Sequence, residues 1–153
     1  MRRKEKEICD INEIKHILAE CEILRLAMVD EGEPYLVALN FALIDNSIYV
    51  HSAKEGRKVE ILQKNPRVAF QTDLGVEVFR TDNVSKCSTK YKCVVGTGNV
   101  GFVDDDKEKK KALDALMKKH SGESEFDYPE VLFARTLIIK IEIDTLTGKQ
   151  SGF

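Results

Sequence analysis

The apolar residues of this chain switch between helical and strand spacing, and the switches mark out its elements. Behind Asp10-Ile11-Asn12-Glu13, which has the form of a capping box, Ile11, Ile14, Leu18 and Cys21 share one helical face and predict a helix of about ten residues. From Ile23 the period shortens. Ile23-Leu-Arg-Leu-Ala-Met-Val29, Tyr35-Leu-Val-Ala-Leu-Asn-Phe-Ala-Leu-Ile44 and Ser47-Ile-Tyr-Val50 read as three antiparallel strands, joined by turns at Asp30-Glu-Gly-Glu-Pro34 and Asp45-Asn46. A second helix from about Gly56 to Lys64 stops at Asn65-Pro66, because proline bars its continuation. Further strands are predicted at Arg67–Thr72, Val76–Phe79, Tyr91–Val103 and Thr136–Ile143. Between the last two, Asp104-Asp105-Asp106 opens a helix whose buried stripe is Ala112, Leu113, Leu116 and Met117 and whose Lys118-Lys119-His120 suit its negative end. Six or seven strands with three helices predict an α+β, mainly β fold: an antiparallel sheet closed into a barrel, with the helices peripheral.

Composition narrows the function classes more than the fold. With 153 residues, 42% hydrophobic and 33% charged, the chain suits a single domain spanning residues 1–153, with no linker or repeat. A net charge of −2 leaves no basic footprint for nucleic acid, so a cationic site has to be local. No apolar run approaches a membrane span, and Met1-Arg-Arg-Lys-Glu-Lys-Glu7 has no apolar core behind it, so a cytoplasmic protein without a secretory signal is expected. The four cysteines, Cys9, Cys21, Cys87 and Cys93, fit neither a zinc knuckle nor a C-x-x-C pair and are expected reduced, and no metal site is predicted.

The stretch His51-Ser-Ala-Lys-Glu-Gly56-Arg57-Lys58 carries the chemistry. A helix start already exposes unpaired N–H groups and partial positive charge, so two cations in its first turn work against stability by about 0.3–1 kcal/mol each. Their presence points to a bound dianion such as a phosphate monoester, held by His51, Ser52, the Gly56 backbone, Arg57 and Lys58. Arg57 can grip it as a fork and Lys58 as a point charge.

A rival is Gly96-Thr-Gly98-Asn-Val-Gly101, which matches G-x-G-x-x-G after a strand. In a dinucleotide fold that turn enters a helix directly, whereas here Phe102-Val103 intervene and three aspartates occupy the helix start, where they repel an anion. These glycines are instead expected to bend a long strand. His16 and His120 are expected at the surface. The thiols of Cys87 and Cys93 have only Lys86, Lys90 and Lys92 nearby to activate them. No nucleophile elbow is present and no catalytic residue is assigned.

Arg25-Leu-Ala, Pro34-Tyr-Leu-Val-Ala-Leu-Asn40-Phe41, Ile48-Tyr-Val-His51-Ser52-Ala53 with Gly56-Arg57-Lys58, Asn65-Pro66-Arg-Val-Ala-Phe70 and Tyr91-Lys-Cys-Val-Val-Gly96, in this order, resemble the pyridoxamine 5'-phosphate oxidase-related flavoproteins, over about residues 1 to 149. The branch they look most like is the nitroimidazole reductase type, associated with nitroimidazole resistance. The resemblance implies a Greek-key split β-barrel of the FMN-binding type that forms a homodimer with FMN at the subunit interface. It implies a cofactor site of Val37, Leu39, Asn40, His51, Ser52, Ala53, Gly56, Arg57, Lys58 and Tyr91. In it the 37–40 strand runs along the polar edge of the ring, the 51–58 segment holds ribityl and phosphate, and the region of Cys87 to Val94 reaches across from the partner subunit. The family often has serine where Cys93 stands, so no hydroxyl role carries over. The arginine and histidine pair that the true oxidase uses near its C terminus has no match in Gly148-Lys-Gln-Ser-Gly-Phe153. The function implied is therefore an FMN-dependent oxidoreductase for small electron acceptors such as nitro compounds; the alternative is a non-enzymatic flavin- or haem-binding protein of the same fold.

Overall fold

The computed structural model describes residues 3–152 apart from 84, 86, 124 and 125, so Lys86 and Phe153 of the readings above lie outside the described residues. The strands are β1 (Glu7–Ile8), β2 (Ile23–Asp30), β3 (Glu33–Asn40), β4 (Ala42–Ile44), β5 (Ser47–Ala53), β6 (Arg67–Phe79), β7 (Ser88–Phe102) and β8 (Thr136–Ser151). They form one antiparallel eight-stranded sheet in the order β3-β2-β6-β7-β8-β5-β4, with β1 added to β8. The helices are α1 (Ile11–Glu20), α2 (Arg57–Lys64), α3 (Asp106–Ser121) and a short α4 (Glu130–Arg135) that the sequence pattern did not suggest.

The mainly β, split-barrel class is as expected, but the sheet is not closed. Its path ends at β3 and β4, which the sequence pattern had joined into one strand from Tyr35 to Ile44. Phe41 and Ala42 are both buried, at 0% and 3% exposure. Two successive inward residues break the alternation of a strand, so the chain kinks at Phe41 and β4 leaves to pair with β5. The first hairpin turns through Glu31 and Gly32, both at positive φ (52° and 96°), and the second through Asp45 at φ 56°.

Several strands are longer than predicted, β6 and β8 most of all, because partners extend them. β6 runs unbroken from Arg67 to Phe79, with a register shift between Leu74 and Glu77 that absorbs Gly75. β8 continues past Ile143 to Ser151, since β5 holds its first half while β7 and β1 hold its second. Gly148-Lys-Gln-Ser151 is thus sheet, and a Cβ at Gly148 would press on Ile14 Cγ1 at 2.7 Å. The glycines of the G-x-G-x-x-G match are packing devices. A Cβ on Gly96 would strike the Phe70 ring and one on Gly98 would strike the Glu142 carbonyl, where the β7–β8 register also shifts.

The main core gathers Ile14, Ile17 and Leu18 of α1, Leu24, Leu26 and Met28 of β2, and Phe41, Phe70, Ile139 and Ile141. Fully burying each such side chain is worth about 1.5–3 kcal/mol against exposure. A second cluster packs Ala112 and Leu116 of α3 on Ala42, Tyr49, Val103 and Ile138. Leu113 and Met117, predicted in that stripe, stay partly exposed, Met117 at 37%, and face a hollow. On α1, Ile11 is 48% exposed, and Asp10 accepts from the N–H of Asn12 at 2.8 Å, so this cap is simpler than a capping box. Glu13 instead pairs with Lys92 at 2.9 Å.

Candidate functional site

β5 carries His51, Ser52 and Ala53 at the end of the strand, opposite Ile138, Leu137 and Thr136 of β8. Gly56 then takes φ 118°, open to glycine and strained for other residues, and turns the chain into α2 without a side-chain cap. The Gly56 carbonyl is taken by the N–H groups of Val59 and Glu60 at 2.9 and 3.1 Å, while the start of the helix points its remaining donors outward.

The two cations there behave differently. Arg57 lies 3.7 Å from Asp30 and 4.6 Å from the centroid of the Tyr35 ring. Its place at a helix start therefore has a structural cause, which the sequence argument from misplaced charge overlooked. Lys58 is half-buried and meets no hydrogen-bond or ion-pair partner among the described residues. Burial pushes its ammonium below the usual lysine range. A half-buried ammonium without a counter-charge is unfavourable, and an anion at this position would offset that cost.

His51 shares this setting. Desolvation first, then the charge of Lys58 and of His120, lowers its affinity for a proton below that of a free imidazole. His120, expected on the surface, approaches Asn40 at 3.4 Å between Nδ2 and Nε2. Asn40, His51 and His120 line a cavity of about 350 Å³ under α3, completed by Leu113, Leu116, Met117, Tyr128 and Thr136. Nothing in the local sequence marks His120 or Tyr128 for this position. His120 arrives because α3 packs across β4 and β5, and Tyr128, beyond the end of α3, is tied back to it through its hydroxyl on Asp114.

Val37 and Leu39 turn their side chains toward the main core, which leaves only their backbone for a ligand. The backbone is suited to it: β3 is the end strand of the sheet path, so one edge of its N–H and C=O groups is open. Tyr91 stands apart from the other predicted residues. It is paired with Ser151 at the far end of β8 from Thr136, and Lys149 lies 5.6 Å over its ring. The remaining nine residues lie on β3, β5 and the start of α2.

A larger hollow of about 550 Å³ lies on the outer side of α3 between Asp106, Lys110, Asp114 and Phe133. Two of its lysines are already paired, Lys110 with Asp114 at 2.7 Å and Lys111 with Asp45 at 4.0 Å. All four thiols are free, Cys21 buried and Cys93 half-buried, with burial the leading cause that pushes both thiols up, away from the reactive thiolate form. His16 faces solvent and Glu20 at 3.1 Å. No cluster of three metal-ligating side chains occurs among the described residues. No helix among them is long and apolar enough to cross a membrane.

The architecture is an open antiparallel split barrel with an uncapped, cationic helix start beside a free strand edge. Residues 10–150 match the pyridoxamine 5'-phosphate oxidase family, and the chain belongs to that family. It is 30% identical to a putative 5-nitroimidazole antibiotic resistance protein from Bacteroides thetaiotaomicron VPI-5482, with a TM-score of 0.84 over 94% of this chain and 86% of that one. A FAD-binding protein from Mesorhizobium loti is 26% identical, with a TM-score of 0.70 over 94% and 96% of the two chains. A FAD and haem binding protein from Mycobacterium smegmatis shares the fold at 18% identity, with a TM-score of 0.84 over 97% of this chain and 74% of that one. Among curated proteins none matches the chain.

Proposed function

We propose that the protein is an FMN-dependent oxidoreductase that passes electrons to small acceptors such as nitro compounds, acts in the cytoplasm, and holds its cofactor between the subunits of a homodimer. The observation that carries this reading is the unpartnered, half-buried Lys58 at an uncapped helix start, beside the open edge of β3. In it Lys58, the hydroxyl of Ser52 and the first N–H groups of α2 hold the phosphate, and Arg57, anchored on Asp30 and Tyr35, contributes at most a second charge. The β3 backbone from Val37 to Asn40 meets the polar rim of the ring. A bound flavin supplies the redox chemistry, so the chain needs to orient it and to position an acceptor.

Support for a homodimer comes from Tyr91 and from the outer face of the sheet. Tyr91 is at the far end of β8 from Thr136, so it joins the site only if a second chain brings it. On that face Leu36, Val76, Val78 and Val95 leave between 44% and 62% of their surface in solvent. Support for acceptor reduction is the relative from Bacteroides thetaiotaomicron, named for 5-nitroimidazole resistance. The test is the visible spectrum of freshly purified protein, followed by addition of NAD(P)H and then a nitro compound. Flavin absorption that bleaches and is restored by the nitro compound is expected. A protein that stays colourless with added FMN, or shows a Soret band and no flavin, overturns the reading.

A further inference from the structure

The charge around the start of α2 suits one phosphate and opposes a second. Of the two cations in the first turn, Lys58 meets no partner among the described residues, whereas Arg57 lies 3.7 Å from Asp30. Lys64, at the other end of the helix, lies 3.9 Å from Glu31. Both of those acids belong to the turn between β2 and β3, which carries Asp30, Glu31 and Glu33, and Glu31 keeps 84% of its side chain in solvent. Two more exposed acids, Glu55 and Glu60, flank the helix start, against one remaining lysine, Lys54. The aromatic surface beside this turn is taken as well, because the Arg57 guanidinium stands 4.6 Å from the centroid of the Tyr35 ring.

We propose that the acidic turn at 30–33 is the specificity element of this site: it admits a flavin that ends in a phosphate monoester and turns away one that continues into a second phosphate and an adenosine. The inference rests on the reading that a flavin phosphate sits at the start of α2, and it adds which flavin. A monoester carries close to two charges at neutral pH and three strong acceptor oxygens on one phosphorus, a compact complement to one ammonium and a few N–H groups. In a dinucleotide that phosphate becomes a diester with a single charge, so its contact with Lys58 weakens. The other charge moves outward to the second phosphate, toward a rim of exposed carboxylates that repel it. The cation that would offset this repulsion, Arg57, is held by Asp30, and the ring that would stack an adenine is covered by Arg57. Asp30 thus acts in two ways, as a like charge toward the ligand and as the tether of the neighbouring guanidinium.

The experiment is a calorimetric titration of the full chain, stripped of flavin, with FMN, FAD and riboflavin at low salt. FMN is expected to bind at least about tenfold more tightly than FAD. That gap is expected to narrow as salt is added, because charges on an exposed rim are screened. Asp30→Asn removes a carboxylate and releases Arg57, and is expected to strengthen FAD binding by about tenfold and FMN binding by less than about threefold. Glu31→Gln combined with Glu33→Gln tests the rim without touching Arg57. It is expected to strengthen FAD binding by about threefold and to leave FMN within about twofold. FAD binding the wild-type chain as tightly as FMN, or a gap that neither variant narrows, overturns the proposal and leaves the phosphate reading standing. Riboflavin binding as tightly as FMN overturns the phosphate reading, and this inference with it.

Discussion

At the scale of single residues, two lysines sit in environments that do not suit a cation, for opposite reasons. Lys58 is half-buried at the open start of α2 and meets no counter-charge among the described residues. Lys58→Ala is expected to weaken FMN binding by about ten- to hundredfold, the equivalent of one charge-assisted contact of about 1.5–3 kcal/mol, in a fluorescence titration. Arg57→Ala should cost less than about fivefold, because that side chain is already held by Asp30 and the Tyr35 ring. Lys119 is the other case. Its Nζ is buried without a hydrogen-bond partner among the described residues, 3.6 Å over the Phe41 ring, and burial lowers it to about 8. The unfolded chain therefore holds that proton up to its ordinary value near 10.5 while the folded chain releases it near 8, so the native state gains stability as pH rises between the two. Lys119→Met is expected to raise the unfolding free energy at neutral pH by about 1 kcal/mol, after discounting for the solvent that still reaches the side chain. Denaturant curves should show that advantage shrinking toward pH 10.

At the scale of elements, the long strands β7 and β8 depend on glycine for contact rather than for turning. Gly98→Ala would put a methyl into the Glu142 carbonyl, a backbone atom with no rotamer to yield. A loss of about 2–3 kcal/mol is expected, seen as a melting temperature lower by about 5–10 °C, with FMN affinity per folded molecule unchanged. A dinucleotide loop at Gly96–Gly101 would show the opposite: preserved melting and lost cofactor. The start of α1 is a smaller lever. Asp10→Ala removes the cap on Asn12 and should cost about 1 kcal/mol in chemical denaturation. The second hairpin, the stop at Asn65-Pro66 and the N-terminal caps of α1 and α3 follow from local rules, which is why the sequence pattern located them. The break at Phe41 and the extension of β8 to Ser151 do not, because each is decided by which strand lies alongside.

At the scale of the whole molecule, the site is legible in pieces that only the fold can join. His51, Ser52, Gly56, Arg57 and Lys58 are contiguous, and their chemistry can be read from residue types alone. If a second chain supplies Tyr91, then Leu36→Asp combined with Val95→Asp, on the outer face of the sheet, should give a monomer in sedimentation and lose FMN together, whereas a site complete within one chain would keep its flavin. By itself the sequence determined the antiparallel, mainly β class, most strand and helix positions, and the cationic turn, since periodicity, caps and charge act over a few residues. Tertiary structure decided that the sheet stays open between β3 and β4, that among the described residues Arg57 has a partner while Lys58 has none, and that His120 meets Asn40 and His51 across a cavity. Those outcomes depend on contacts between positions about 30 to 80 apart, and no local preference encodes such a distance.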